Sequence, residues 1–228
     1  MIVAIIPARA NSKSVKNKNL VKIGDDSLLA ITIKSAKNSG IFDKIIVSTD
    51  GIQIKNEAIK YGATVIDRPQ YLALDNSKSI DAVLHVISEL GLNSGTSILL
   101  QPTSPFRTST HIKEAYSEFI RNSDKNSLIS ITESDVHPYK MLLKSKDEYI
   151  SLADIEYMEY PRQDLPKAYQ INGAIYINKI EKLLDSKNFF ISPVSYYEMD
   201  KSSSLDIDYP EDLYEANRIY SLRNNVND

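Results

Sequence analysis

Apolar and polar positions follow two periods in turn along most of the chain. Ile2–Pro7 is an uninterrupted apolar run, the pattern of a strand buried on both faces. Leu28–Lys37 has helical spacing, with Ser27 placed to cap it. Lys44–Ser48 predicts a second strand. Gln53–Tyr61 predicts a helix that stops at Gly62, and Thr64–Asp67 a third strand. From Ser79, read as a cap, a helix runs to Leu90 with Ile80, Val83, Leu84, Ile87 and Leu90 on one stripe. Ser97–Leu100, Thr110–Arg121 and Ser127–Thr132 continue as strand, helix and strand. This βαβ rhythm predicts an α/β, Rossmann-like fold, a largely parallel sheet with helices on both faces.

The rhythm breaks from about residue 133 to 171. That stretch is polar, rich in tyrosine and carries Pro138, Pro161 and Pro166. It reads as an irregular or hairpin excursion rather than a linker. Gly173–Ile177 then resumes as a strand, Ile180–Leu184 as a short helix and Val194–Tyr197 as a strand. Asp208, Tyr209 and Pro210 open a last helix to about Leu222, with proline near the first turn, where its missing N–H matters least.

The length, 228 residues, suits one domain with an appendage at ~150 residues per domain. A chain this long hides roughly 70% of its unfolded surface. The absence of cysteine excludes disulfides, zinc ribbons, iron–sulfur clusters and thiol nucleophiles. No apolar run approaches the ~20 residues of a membrane span, and MIVAIIPAR lacks the charged start and cleavage site of a signal peptide. A cytoplasmic protein with no membrane partner is expected.

Net charge is −3, which argues against general nucleic-acid binding. Yet Arg9, Lys13, Lys16, Lys18 and Lys22 cluster, and no acid intervenes before Asp25. That cluster is either a solvated basic loop or a seat for a small polyanion. Neither GxGxxG nor GxxxxGK[ST] is present, and there are seven glycines. A phosphate ligand would therefore depend on side chains more than on a backbone cradle. The basic loop follows the first strand, where ligands gather in open α/β sheets. Asp206 and Asp208, two apart on an extended segment, can turn both carboxylates to one hard cation. Alternatively, Asp208 caps the last helix.

Six segments, IIPARANSKSVKNKNL (5–20), IIVSTD (45–50), LLQPTSPFRT (99–108), PRQDLP (161–166), NGAIYI (172–177) and SLDIDYPEDL (204–213), resemble those of the acylneuraminate cytidylyltransferases, the CMP-sialic acid synthetases. They occur in family order over essentially the whole chain. The resemblance implies one cytidylyltransferase domain over 1–228. It implies transfer of CMP from CTP to the anomeric hydroxyl of a nine-carbon 2-keto acid sugar, N-acetylneuraminic acid foremost, with release of pyrophosphate.

The resemblance assigns Arg9, Lys13 and Lys18 to the triphosphate, with Ser12 and Asn19 as hydrogen-bonding partners. It assigns Arg68, Ser77 and Ser79 to the cytosine, although Arg68 could instead pair with a carboxylate. Asp206 and Asp208 would hold Mg2+, and a carboxylate there could accept the proton of the sugar hydroxyl. Gln101, Asn172 and Tyr176 would contact the acceptor sugar. Phe189 and Phe190 would shape its acyl pocket, or simply belong to the core. Lys140 and Arg162, in the excursion, would serve a second subunit's site in a homodimer. The sequence departs from the family at Ser14, where glycine is usual. Legionaminic acid or another nonulosonate is the alternative acceptor, with the eight-carbon acid Kdo further off. A non-catalytic sugar-nucleotide binder is the alternative of another class.

Overall fold

β1 (Ile2–Pro7) carries no polar side chain, so neither of its faces can meet water. It lies inside the sheet, between β4 (Lys44–Thr49) and β6 (Thr96–Leu100). The computed structural model describes residues 1–11 and 14–225. After β1 come a short hairpin, β2 (Lys22–Ile23) and β3 (Asp26–Ser27), and helix α1 (Leu28–Ser39). β4 leads through α2 (Ile52–Lys60) to β5 (Thr64–Asp67) and through α3 (Ser79–Glu89) to β6. α4 (Ser109–Arg121) and β7 (Ser127–Glu133) follow. A separate hairpin, β8 (Leu142–Ser145) and β9 (Glu148–Ser151), precedes β10 (Tyr169–Lys179), α5 (Ile180–Ser186), β11 (Val194–Glu198) and α6 (Pro210–Asn225).

The main sheet has seven strands in the order β11-β7-β10-β6-β1-β4-β5. β10 runs antiparallel to both neighbours, and every other pair is parallel. The α/β expectation of a largely parallel sheet is therefore met. Alternation along β1 divides the core. Ala4 and Ile6 face α1, α2 and α4, while Val3 and Ile5 face α3 and α5. A third cluster joins Ile23, Leu28, Phe106 and Ile207 to Ala216 of α6.

Two local expectations need correction, and one alternative is not met. Ser79 does not cap α3 but is its first helical residue; Lys78 is the cap, and its N–H donates to Asp81 Oδ2 at 3.3 Å. The alternative of an Asp208 cap on α6 finds no hydrogen bond among the described residues: Asp208 Oδ1 accepts from Lys18 Nζ, and Asp212 Oδ2 accepts the N–H groups of Asp208 and Tyr209 at 2.8 and 2.7 Å. The strand expected at Gly173–Ile177 is the middle of β10. Its register shifts between Ile171 and Tyr176, and Gly173 takes a left-handed φ of 74° there. Apolar periodicity stops at such a bulge while the ladder passes through it.

Residues 134–168 leave the sheet between β7 and β10, and Ser134 N–H bonds Ala168 O where the two meet. Within this excursion Tyr139, Tyr157 and Tyr160 stack at centroid distances of 5.0 and 5.5 Å. Leu142, Leu143, Ile150 and Ile155 stand 51%, 53%, 51% and 75% exposed. No described helix is long and apolar enough to cross a membrane.

The Ser27 cap is as the sequence predicts. Its hydroxyl accepts Ala30 N–H at 3.0 Å and donates to Glu57 Oε1 at 2.8 Å, tying α1 to α2. Ser27→Ala should lower stability by about 1–2 kcal/mol in urea titrations, through the lost cap and the stranded carboxylate.

Candidate active site

A cavity of about 390 Å³ opens beyond the carboxyl ends of β1, β5 and β6. One wall is the loop after β1. Arg9 leaves the strand two residues past Pro7, and its Nη1 pairs with Asp75 Oδ1 at 2.9 Å. Asn19 Nδ2 holds the Arg9 carbonyl at 2.9 Å, so the asparagine shapes the loop from within. Lys18 is reached through Asn17, whose φ of 53° turns the chain. Arg9, Lys18 and Asn19 all line the cavity. Ser12 and Lys13 lie outside the described residues.

The opposite wall is the segment 206–208, which leads into α6. Ile207 is fully buried, and Asp206 and Asp208, on either side of it, both line the cavity. Lys18 Nζ donates to Ile207 O at 2.8 Å and to Asp208 Oδ1 at 3.1 Å. The loop after β1 and the late aspartates therefore share one cleft. The two carboxylates differ in setting. Asp208 is exposed and paired, whereas Asp206 Oδ1 is buried with no hydrogen-bond partner among the described residues. Burial, with the charges of Asp208 and Asp212 adding, pushes the Asp206 carboxyl up to about 6 against the pull of Thr103 and Lys18.

The third wall holds Arg68, Ser77 and Ser79. Arg68 is 8% exposed, and it donates to Ser48 Oγ at 3.1 Å and Ser48 O at 2.7 Å. Burial is the main reason its guanidinium is pushed down to about 10, with Asp50 opposing and Arg9 adding. Ser77 Oγ donates to Tyr71 O, which pins the 70–78 turn against the cavity.

Gln101 follows β6 and lines the floor with Pro102 and Thr103. A Cβ on Gly173 would sit 2.9 Å from Gln101 Oε1 and 3.6 Å from Asp206 Oδ2. The left-handed φ of 74° favours glycine here, and a Cβ would press on the end of the Gln101 side chain while meeting Asp206 at ordinary contact distance. Tyr176 is held above its usual range by burial and then by the charge of Asp206, and its ring meets Phe189 at 5.3 Å and Phe190 at 6.4 Å. These three rings flank Asp206 without lining the cavity itself; Phe189 and Tyr176 also pack against the core, and Phe190 is 44% exposed.

Asn172 does not line the cavity. Its Oδ1 accepts from Ser130 Oγ at 2.6 Å and Ala174 N–H at 3.2 Å, while its Nδ2 donates to Ser204 Oγ at 2.9 Å. It braces the segment that carries Asp206. Lys140 and Arg162 are exposed in the excursion and are also absent from the cavity walls. Lys140 Nζ binds Met158 O at 3.1 Å, and Arg162 binds Asp135 O. Sequence reasoning missed Thr103 and the counter-ion role of Asp75. Thr103 lies in the segment 99–108 and Asp75 between Arg68 and Ser77, but neither residue type is distinctive out of context.

A cation held here would fit the buried, unpartnered Asp206 Oδ1 and the neighbouring Asp208 carboxylate. No group of three or more His, Asp or Glu residues able to hold a metal occurs among the described residues. Protein ligands would therefore number two, the usual pattern when phosphates and water complete a magnesium shell.

A family model described as Cytidylyltransferase matches residues 3–227. The N-acylneuraminate cytidylyltransferase of Escherichia coli O18:K1:H7 is 39% identical over 98% of this chain and 53% of its own length. The chain thus spans about half the length of that relative. The CMP-N,N'-diacetyllegionaminic acid synthase of Legionella pneumophila is 32% identical over 97% of both chains. The solved CMP:2-keto-3-deoxy-manno-octonic acid synthetase complexed with CTP shares the fold, with a TM-score of 0.74 over 97% of this chain and 99% of that one at 15% identity.

The raised Asp206 carboxyl makes stability depend on pH. Unfolded, the group releases its proton near 3.8; folded, it holds it to about 6. Its contribution is most favourable below about pH 4 and is lost as pH rises through about 6. In metal-free buffer, Asp206→Asn should be more stable than the unmodified protein at neutral pH by up to about 3 kcal/mol. The difference, read by thermal melts, should shrink towards zero near pH 4.

Proposed function

The chain belongs to the cytidylyltransferase family, and we propose that it transfers CMP from CTP to the anomeric hydroxyl of a nonulosonic acid, N-acetylneuraminic acid first, releasing pyrophosphate. One observation carries this reading: Arg9, Lys18, Asp206 and Asp208 bound the same cavity.

Arg9 and Lys18 take the triphosphate, exchanging Asp75 and Asp208 for phosphate oxygens. Lys13 and Ser12, in the same loop, add to this. Arg68, Ser77 and Ser79 take the cytosine on the third wall. Gln101 orients the acceptor from the floor, beside Tyr176, Phe189 and Phe190. The sugar hydroxyl oxygen bonds the α-phosphorus, the bond to pyrophosphate breaks, and a carboxylate of the aspartate pair takes the hydroxyl proton. Positive side chains hold the charge that leaves with pyrophosphate. Asp206 and Asp208 would hold Mg2+, which when bound supplies charge neutralisation of the phosphates.

The exposed apolar surface of residues 133–171 supports a homodimer in which Lys140 and Arg162 reach the neighbouring subunit's site. The Legionella relative, alike over nearly its whole length, favours a second reading: the same reaction on a legionaminic-type acid. Pocket contacts separating such sugars are worth only ~1–3 kcal/mol each.

Pyrophosphate release from CTP and magnesium should appear with one or more members of a panel of 2-keto acid sugars, and not when other nucleoside triphosphates replace CTP. CTP binding with no release for any sugar would instead identify a sugar-nucleotide binder. Arg9→Ala should raise the CTP KM roughly tenfold or more, the worth of a hydrogen bond to a charged group. Asp206→Asn should abolish most turnover in the same assay. Mixing Lys140→Ala or Arg162→Ala subunits with Asp206→Asn subunits should restore part of the activity. No recovery after demonstrated subunit exchange would count against supply in trans.

A further inference from the structure

Arg107, in the loop between β6 and α4, is among the largest fully buried side chains, at 1% exposure. Such burial is expensive for a guanidinium. Desolvation alone pushes it down to about 9, no carboxylate pairs with it among the described residues, and its Nε and Nη2 have no hydrogen-bond partner there. A chain needing only a well-filled core would place methionine or leucine at such a position.

Its directional contacts are specific. Nη1 donates to Gln101 O at 2.9 Å and to Ala174 O at 3.1 Å. These carbonyls lie just beyond the last rung of the β6–β10 ladder, where Ile175 pairs with Leu100. β6 ends at that rung, and just past it the register of β10 against its other neighbour, β7, shifts. The guanidinium stands in for the missing rung. It thereby sets the spacing between the strand end that carries Gln101 and the bulge that carries Gly173. Gly173 takes a left-handed φ, and a Cβ there would press on Gln101 Oε1 at 2.9 Å.

We propose that Arg107 is a positioning residue: by clamping the Gln101 and Ala174 carbonyls it holds Gln101 at the acceptor-sugar half of the cavity, without itself touching either substrate. This rests on the reading of the cavity as a cytidylyltransferase site in which Gln101 meets the sugar. It separates Arg107 from Arg9 and Arg68, which line the cavity directly.

The test is steady-state kinetics on folded protein, varying CTP and N-acetylneuraminic acid, or whichever nonulosonate the unmodified protein turns over. Arg107→Met should cut kcat/KM for the acceptor roughly ten- to a hundredfold, the scale of a misplaced orienting group, and leave the CTP KM within about twofold. Arg107→Lys, which keeps a donor, should recover part of the loss. In a Gln101→Ala background, Arg107→Met should add little, since its effect passes through Gln101. The proposal falls if the variants merely lower the thermal midpoint while acceptor kcat/KM stays within twofold. It falls equally if both substrates suffer alike or if the two substitutions are additive. Should Arg107→Met not fold, Arg107→Lys and Arg107→Gln decide by the same criteria. Turnover by the unmodified protein with unaffected variants overturns the clamp alone; no turnover with any nonulosonate overturns the cavity reading and the clamp together.

Discussion

The ammonium of Lys18 reaches across the fold to the carbonyl of Ile207, 189 residues away in the chain, and to the Asp208 carboxylate. With its side chain almost wholly buried, it has little water to fall back on, so its acceptors must come from the protein. They come from the segment that faces it across the cavity. Each wall is thus fixed by the other. The loop after β1 contains no glycine, its described residues have no regular structure beyond a short 3-10 turn, and they are tied by this contact and by Asn19 bonding the Arg9 carbonyl. Ile207 acts as the keel on the other side, seated among Leu28, Phe106 and Ala216. It points into the core, and its two neighbours line the cleft.

The same tie divides the labour of two similar residues. Asp208 is exposed and already neutralised by Lys18, whereas Asp206 sits deeper with one oxygen unpartnered. Placing like groups in unlike environments is how a protein obtains two chemical roles from one side-chain type. It also leaves a buried carboxylate that the fold would be more stable without at neutral pH, the usual tension between a working site and a well-packed one.

β10 bears on the site from the floor. It is antiparallel in a parallel neighbourhood and bulged at Gly173. The β6–β10 ladder ends where β6 delivers Gln101, the register of β10 against β7 shifts beside it, and polar side chains bond the backbone groups exposed there. Asn172 secures one side of the break to Ser130 and Ser204, and Arg107 secures the other. Buried polar groups gather here because interrupted backbone leaves carbonyls and N–H groups that need partners.

Much of the architecture was legible in the sequence because burial is written in local periodicity. The strand limits at Ile2–Pro7 and Thr64–Asp67, the Ser27 cap and the stop at Gly62 all follow from neighbours along the chain. The likeness of six short segments pointed to Arg9, Lys18, Asp206 and Gln101 as residues of one site. Ser79, read as a cap, is instead the first residue of α3, because a cap depends on where the backbone turns. The role of Asn172 was also out of reach: an amide's partners here come from β7 and from a segment thirty residues on. What the sequence alone determined is the order of the elements, the faces they bury and the charge of the loop after β1, since these depend on residue type and short spacing. What only the tertiary structure decided is which distant groups meet: Lys18 with residues 207 and 208, Arg107 with two carbonyls, and Asp206 with a setting whose burial raises its carboxyl. Such encounters depend on crossovers and a bulge that place residues ångströms apart, and no local pattern encodes them.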